Sequence, residues 1–285
     1  MTFTALDLAR LRTFAGALAR DVGTHVRELR ETGAAVAETK SSRTDVVTAA
    51  DHEAEQLIVS ALRAERPADG ILGEEGASTQ GETGITWVVD PIDGTVNYLY
   101  GLPGYAVSIA ATITGGGPGT MADGRRTVAA AVYVPSSDEL FTAQDGGGAT
   151  LNGRPIRVSQ ASELSLALVA TGFGYTAQRR TEQAEVVRQL IPRVRDIRRL
   201  GAAATDLCHL AAGRLDAYYE RGLQPWDYAA GALIAREAGA VLLGRTHDAV
   251  AGEPLLIAGP PALAAQLQLA VGQAYEAYER DAPQP

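Results

Sequence analysis

The chain has 285 residues, 46% of them hydrophobic, which is enough to bury a large core as one big domain or two intimate ones. Its formal charge of −9 argues against sequence-independent nucleic-acid binding, which needs a basic surface to displace counterions. A single cysteine, Cys208, excludes an intrachain disulfide and any multi-cysteine zinc site.

Residues 6–29 repeat apolar positions at helical spacing between arginines and acids, which predicts an amphipathic helix. Residues 40–44 read as a polar loop and 46–62 as a second helix. Short apolar segments bounded by turn residues, 71–72, 85–89, 105–113, 128–134 and 140–143, predict strands, several joined as antiparallel hairpins. Residues 115–126 form a glycine-rich hairpin connection. Beyond it, 166–171 reads as a strand and 178–194 as a helix. The pattern continues with 203–212 helical, 215–219 extended, 226–238 helical, 255–258 a short strand and 261–278 a closing helix. Helices flanking a strand-rich middle predict a layered α/β (α+β) sandwich, a single domain over 1–285 with a subdomain boundary near residue 160. No apolar run approaches membrane-spanning length and the N-terminus has no secretory apolar region. The expectation is therefore a cytoplasmic protein without nucleic-acid or membrane partners.

The most informative stretch is Trp87-Val88-Val89-Asp90-Pro91-Ile92-Asp93-Gly94-Thr95-Val96-Asn97-Tyr98. An apolar strand ends in a carboxylate at Asp90, Pro91 removes a backbone donor and stops the pairing, and a second carboxylate follows at Asp93. Gly94 permits close backbone approach, and Thr95 opens a helix whose first N–H groups are free. Two acids beside such a helix start suit a divalent metal and a phosphate. Three other segments add acids: Ile71-Leu72-Gly73-Glu74-Glu75, the stretch with Asp45 and Asp51 at its ends, and Pro225-Trp226-Asp227. Singly, each reads equally well as a helix cap or a strand end. Together they form a constellation.

Other signals compete less well. Gly172-Phe173-Gly174-Tyr175-Thr176-Ala177 fits the dinucleotide fingerprint, but an aromatic pair crowds the turn and no βαβ partner precedes it. His25, His52, His209 and His247 lack ligand spacing. Arg179-Arg180 and residues 193–199 form a basic stretch that reads as a solvated helix face with a strand entry, with phosphate steering or a subunit contact as the functional alternative.

In this order, Asp45-x-Val-Thr-x-x-Asp51, Gly73-Glu74-Glu75, residues 87–97, residues 148–157 and Trp226-Asp227 resemble the inositol monophosphatase family, magnesium-dependent and lithium-sensitive sugar-phosphate phosphatases. The resemblance covers about residues 40–256 and implies an α-β-α-β-α sandwich and a homodimer. It implies one Mg²⁺ held by Glu74, Asp90 and the carbonyl of Ile92, a second held by Asp90, Asp93 and Asp227, and a third shared by Glu74. A metal-activated water would attack phosphorus in line, oriented by Thr95 and Asp51 with help from Glu74. The N–H groups of Gly94 and Thr95 would hold phosphate, and Lys40 would steer the anion. Residues 199–204 resemble the turn whose main chain, at Gly201, Ala202 and Ala203, touches substrate hydroxyls. Residues 215–220 resemble the alcohol-reading strand, in which Glu220, with Asp93 and Asp227, would accept from inositol hydroxyls. Ala202, where relatives often carry threonine, and Gln224-Pro225 depart from the pattern without touching a ligand position. The implied substrate is myo-inositol 1-phosphate. Histidinol phosphate, fructose 1,6-bisphosphate, 3′-phosphoadenosine 5′-phosphate and a phosphatase-like regulatory binding role are the alternatives.

Overall fold

The structure, a computed structural model, describes residues 3–31, 36–39, 46–246, 248–252 and 254–281; Lys40, Asp45 and His247 lie outside the described residues. The amphipathic N-terminal pattern becomes α1 (Ala5–Glu31), which buries Leu8, Leu11, Ala15, Val22 and Val26 along one face. After β1 (Val36–Thr39) and β2 (Val46–Thr48), α2 (Ala49–Glu65) starts three residues later than its apolar pattern predicts. The β-branched run Val46-Val47-Thr48 favours extended backbone, and Thr48 then caps the helix in a reciprocal box with Asp51.

Next come β3 (Gly70–Gly73), β4 (Ser78–Thr79), β5 (Ile85–Asp93), α3 (Thr95–Leu99), β6 (Ala106–Thr114), β7 (Arg125–Val134), β8 (Glu139–Gln144), β9 (Gly148–Leu151) and β10 (Arg154–Pro155). Their strands form an eight-stranded sheet in the order β10-β9-β8-β7-β6-β5-β3-β4, with β3 and β5 parallel. The glycine-rich connection is shorter than predicted, because Arg125 and Arg126 already pair with Thr114 and Ile113.

The chain continues through β11 (Leu168–Thr171), α4 (Ala177–Leu190), β12 (Asp196–Arg198), α5 (Ala203–Ala211), β13 (Ala217–Arg221), α6 (Pro225–Glu237), β14 (Val241–Leu243), β15 (Leu255–Gly259) and α7 (Pro261–Asp281). These strands make a second sheet, β12-β11-β13-β15-β14, parallel across the first three and antiparallel beyond. β11 begins later than its pattern suggests, behind a single 3-10 turn at Leu164–Leu166.

Side-chain alternation explains the layering. Trp87, Val89, Val107, Ile109, Ala131 and Tyr133 point to α1 and α2, whereas Val88, Ala106, Ala110, Ala130 and Val132 point to the opposite side. That opposite side is covered by α5 and α6, which also lie against the second sheet. Helix α6 is apolar or small all round from Tyr228 to Ala235, as a helix buried between two sheets must be. The outer face of the second sheet packs Val169, Ala217 and Ile257 against α4 and α7. The result is an α-β-α-β-α sandwich with a shared helical middle layer. Among the described residues no helix is long and apolar enough to cross a membrane.

Candidate active site

Asp90 and Asp93 are three residues apart on one strand, so a regular pleat would send them to opposite faces. The pairing of β5 with β6 prevents that. Asp90 lies opposite Ser108 and Asp93 opposite Ala106, so Pro91 and Ile92 together face the single residue Val107. This bulge adds one residue, changes the parity, and brings both carboxylates to the middle-layer side. Pro91 therefore does not end the pairing as expected from sequence; the ladder resumes at Asp93.

The two acids are held differently. Asp90 Oδ1 accepts the Ile92 N–H at 3.0 Å. Asp93 reaches across to the second half of the chain, where its oxygens accept the N–H groups of Ala203 at 3.2 Å and Ala204 at 2.7 Å. Helix α5 starts from Ala202, which has no side chain able to cap it, and Asp93 supplies the missing acceptor and a negative charge at the helix start. The predicted donor at Ala203 is thus already engaged. Asn97 ties the same two regions together by donating to the carbonyls of Gly104 and Leu200. Gly94 sits at φ 90°, and a Cβ there would lie 2.6 Å from the Gly104 carbonyl oxygen, so conformation and space both require glycine.

Asp51, the third residue of α2, accepts from the Thr48 N–H at 2.8 Å and from the Thr48 hydroxyl. Its other oxygen lies 3.1 Å from Thr95 Oγ1, which is also 3.1 Å from the Ile92 carbonyl oxygen. The single Thr95 proton goes to one of these acceptors at a time. Glu74 leaves the end of β3 beside β5, its N–H bonded to the Val89 carbonyl at 3.2 Å. The turn that follows is held by Glu55 of α2, a residue sequence reasoning missed, which accepts the N–H groups of Glu75 at 2.9 Å and Ala77 at 3.2 Å. The signal was its spacing: Asp51 and Glu55 are one helical turn apart on the same face. Glu55→Ala is expected to lower the free energy of unfolding by about 1–3 kcal/mol, since it strips two backbone donors of their acceptor. Urea denaturation measures this, and an unchanged midpoint would mean that water replaces Glu55 without loss.

On the other side of the cleft, Asp227 lies in the first turn of α6, where its carboxylate accepts the Gln224 N–H at 2.6 Å. Glu220 projects from β13 and accepts the Tyr218 hydroxyl at 2.7 Å. Tyr218 is a second missed residue, two positions from Glu220 and so on the same strand face. β11 runs parallel beside β13, and any side chain at Gly172 would collide with the Glu220 carboxylate.

These groups enclose one cavity of about 510 Å³. Glu74, Asp90, Ile92, Asp93, Gly94, Thr95, Asp227 and Glu220 line it, as do Gly201, Ala202 and Ala203. Asp51 stands behind Thr95. Burial and the neighbouring charges of Glu74, Asp93 and Asp227 push the Asp90 carboxyl well above the usual carboxylate range. Burial, then Glu74, does the same to Asp227. Asp93 is pushed up to about 7 by burial, against the opposing N–H bonds from α5. Glu220 is pushed up to about 6 by burial, opposed by the Tyr218 bond and by Arg199. Burial also raises Asp51, and it raises Asp206 one turn into α5, whose Oδ1 is buried without a hydrogen-bond partner.

A group of carboxylates forced together in this way calls for positive charge. Among the described residues no three acid, histidine or cysteine side chains close into a ready-made cage. The donors are hard oxygens spread around an open cavity. That set fits Mg²⁺, which keeps several waters and takes substrate phosphate oxygens as further ligands.

The chain is similar to known proteins over nearly its whole length. The family model described as "Inositol monophosphatase family" matches residues 7–280. The chain is 44% identical to the inositol-1-monophosphatase SuhB of Mycobacterium tuberculosis over 95% of its length and 96% of the relative. It is 40% identical to the Nus factor SuhB of Escherichia coli, covering 84% of this chain and 90% of that one. Its fold matches the solved IMPase of Thermotoga maritima with a TM-score of 0.82 at 31% identity, over 94% of this chain and 99% of that one.

Proposed function

The chain belongs to the inositol monophosphatase family, and on that premise we propose that it is a Mg²⁺-dependent, lithium-sensitive phosphomonoesterase that hydrolyses myo-inositol 1-phosphate in the cytoplasm. The observation that carries this reading is the bulge in β5, which aims Asp90 and Asp93 into the same cavity as Glu74 and Asp227. Glu74, Asp90, Asp93, Asp227 and the Ile92 carbonyl would hold two or three Mg²⁺, which when bound supply Lewis-acid stabilisation of the charge that develops on the transferring phosphoryl group.

The protein's own groups do the remaining work. Thr95 lines the cavity with its hydroxyl beside Asp51, so it can orient a water and relay its proton to a carboxylate that burial makes more basic. Glu74 supports the same step from the facing wall. The backbone at Gly94 and Thr95 holds the phosphate. On the alcohol side, the backbone of Gly201 and Ala202 and the carboxylates of Asp93, Asp227 and Glu220 bind the polyol. A carboxylate suits neighbouring O–H groups because each oxygen accepts more than one hydrogen bond. In this division residues up to about 160 provide the phosphate binding and the metal ligands other than Asp227, and later residues, joined by Asp93, read the alcohol. We further propose a homodimer, and no nucleic-acid or membrane partner; light scattering and a binding screen check these directly.

The deciding experiment is phosphate release from myo-inositol 1-phosphate with and without Mg²⁺, beside histidinol phosphate, fructose 1,6-bisphosphate and 3′-phosphoadenosine 5′-phosphate. The expected result is Mg²⁺-dependent turnover with the highest kcat/KM for the inositol ester. If another ester wins, the reading of Glu220 fails and the reaction class stands. Gly172→Ala probes Glu220 separately. By pushing its carboxylate off position, the added methyl should raise KM for the inositol ester about tenfold with a smaller change in kcat. An unaltered KM would remove Glu220 from the polyol site.

The Escherichia coli relative named Nus factor SuhB supports a second reading, in which this chain also acts by binding a protein partner. Absence of turnover on every ester in the presence of Mg²⁺ would make that the leading interpretation.

A further inference from the structure

Glu220 stands on the second sheet, apart from the acids that the first sheet brings to the cavity. Rotation about its side-chain bonds would let an unrestrained carboxylate sweep the cavity instead of meeting one ligand hydroxyl. Two features prevent this. Gly172 lies one step beyond the pairing of Thr171 with Tyr219, so close to the carboxylate that a Cβ there would fall upon it. The first glycine of the segment that reads like a dinucleotide fingerprint is thus needed here for an acid. From the other side, Tyr218 donates its hydroxyl to Glu220 Oε2 at 2.7 Å. Oε1 is left without a protein donor among the described residues, on a side chain that lines the cavity.

Tyr218 is itself held fast. It is fully buried, its neighbours on the adjoining strands are Ala170 and Ala258, and all three belong to the apolar cluster that α5 and α6 share with the second sheet. A phenylalanine ring would fill this place equally well. A buried hydroxyl costs free energy unless it has a partner, and among the described residues its partner is Glu220. Burial and the charge of Glu220 push the Tyr218 hydroxyl well above its ordinary range, so the tyrosine stays the donor and Glu220 the acceptor. The same bond opposes the upward push of burial on Glu220. Arg199 on the cavity wall adds to that opposition while also offsetting the buried Asp206.

We infer that Tyr218 is the positioning residue of the alcohol side: it fixes Glu220 so that Oε1 meets a ligand hydroxyl, and it thereby sets a preference for polyol esters over esters of alcohols that carry no further hydroxyl. A carboxylate aimed in advance loses no rotamer freedom when the polyol binds, and that saving is absent for an ester with no hydroxyl to donate. The inference rests on the phosphatase reading and on Glu220 as the polyol acceptor.

The test measures kcat/KM for myo-inositol 1-phosphate and for phenyl phosphate, whose ring carries no hydroxyl, on the Mg²⁺-loaded full chain. The wild type is compared with Tyr218→Phe, Glu220→Ala and the double variant. Tyr218→Phe keeps every carbon of the ring, and thermal unfolding checks that each variant is folded. The ratio of the two kcat/KM values should fall about tenfold in Tyr218→Phe, with the loss carried by KM for the inositol ester. In the Glu220→Ala background the same substitution should leave the ratio within about twofold. An unchanged ratio in Tyr218→Phe would overturn the proposal. So would an equal fall with and without Glu220, because the tyrosine would then act through packing alone. A ratio that Glu220→Ala does not lower would remove Glu220 from polyol recognition and the positioning role with it. If neither ester is turned over, the phosphatase reading fails, and the ratio of Kd values for the two esters, measured by calorimetry in the same four proteins, still decides the role of Tyr218.

Discussion

Replacing Asp90 with asparagine is expected to reduce phosphate release by about a hundredfold to a thousandfold while leaving the metal-free protein at least as stable as the wild type. The two halves of this result have one cause. Burial and the charges of Glu74, Asp93 and Asp227 drive the Asp90 carboxyl towards its neutral form when no cation is bound. Asparagine is close in shape to that neutral form and keeps an oxygen for the Ile92 N–H. It removes a negative charge that would help hold Mg²⁺, and loss of one such electrostatic contributor costs on the order of a hundredfold to a thousandfold. Asp227→Asn should behave alike, because its carboxyl is raised for the same reasons and its Oδ2 contact with the Gln224 N–H survives the change. Initial rates of phosphate release, together with thermal unfolding with and without Mg²⁺, measure both effects. In wild-type protein Mg²⁺ should raise Tm by selective binding to the folded state, and in Asp90→Asn that rise should largely vanish. Near-wild-type turnover in either variant would overturn the metal assignment.

What sequence made legible here was local. Asp90, Asp93, Gly94 and Thr95 belong to one short segment, and Glu74 and Asp227 sit at element ends that apolar patterning marks. The face on which each acid falls was not legible. Whether Asp90 and Asp93 share a side depends on the register against Ser108 and Ala106, and that register is set by a partner strand, not by the segment itself. The role of Asp93 as the cap of α5 joins positions 110 and 111 residues apart, and nothing in either stretch announces it. Local propensity also misplaced the start of α2, since it weighed the apolar spacing of 46–62 above the extended preference of Val46-Val47-Thr48. The three-residue strands β12 and β14 carry too little pattern to be read alone, and they exist because neighbouring strands pair with them. The five-layer order came with the family resemblance. From the residues alone, helices around a strand-rich middle fit several sandwiches.

Removing divalent metal should make the stability of this protein fall as pH rises, opposite to the usual behaviour of proteins rich in paired carboxylates. Asp93 and Glu220 are pushed up to about 7 and about 6 in the folded chain, mainly by burial, and Asp90 and Asp227 shift in the same direction. In the unfolded chain all four titrate near 4. Between these limits the folded state binds more protons than the unfolded state, so unfolding becomes easier with each step upward in pH. The stabilising contribution is complete below about pH 4 and is lost as pH passes through 6 to 7. His209, held low by burial, works in the other direction, but only below about pH 6.5, where its unfolded form takes up a proton. Carboxylates held low by arginines, such as Glu139 beside Arg214, titrate at more acidic pH and do not enter this window. The expected net loss between pH 5.5 and 8 in EDTA is a few kcal/mol, or on the order of 5 °C in Tm. Mg²⁺ should flatten the dependence, because the cation replaces the protons and favours the ionised carboxylates, and its binding at pH 6 should release protons measurable by calorimetry in buffers of different ionisation enthalpy. A metal-free Tm that rises steadily from pH 5.5 to 8 would show that these carboxylates are already compensated within the protein, and it would remove the electrostatic argument for cations in this cleft.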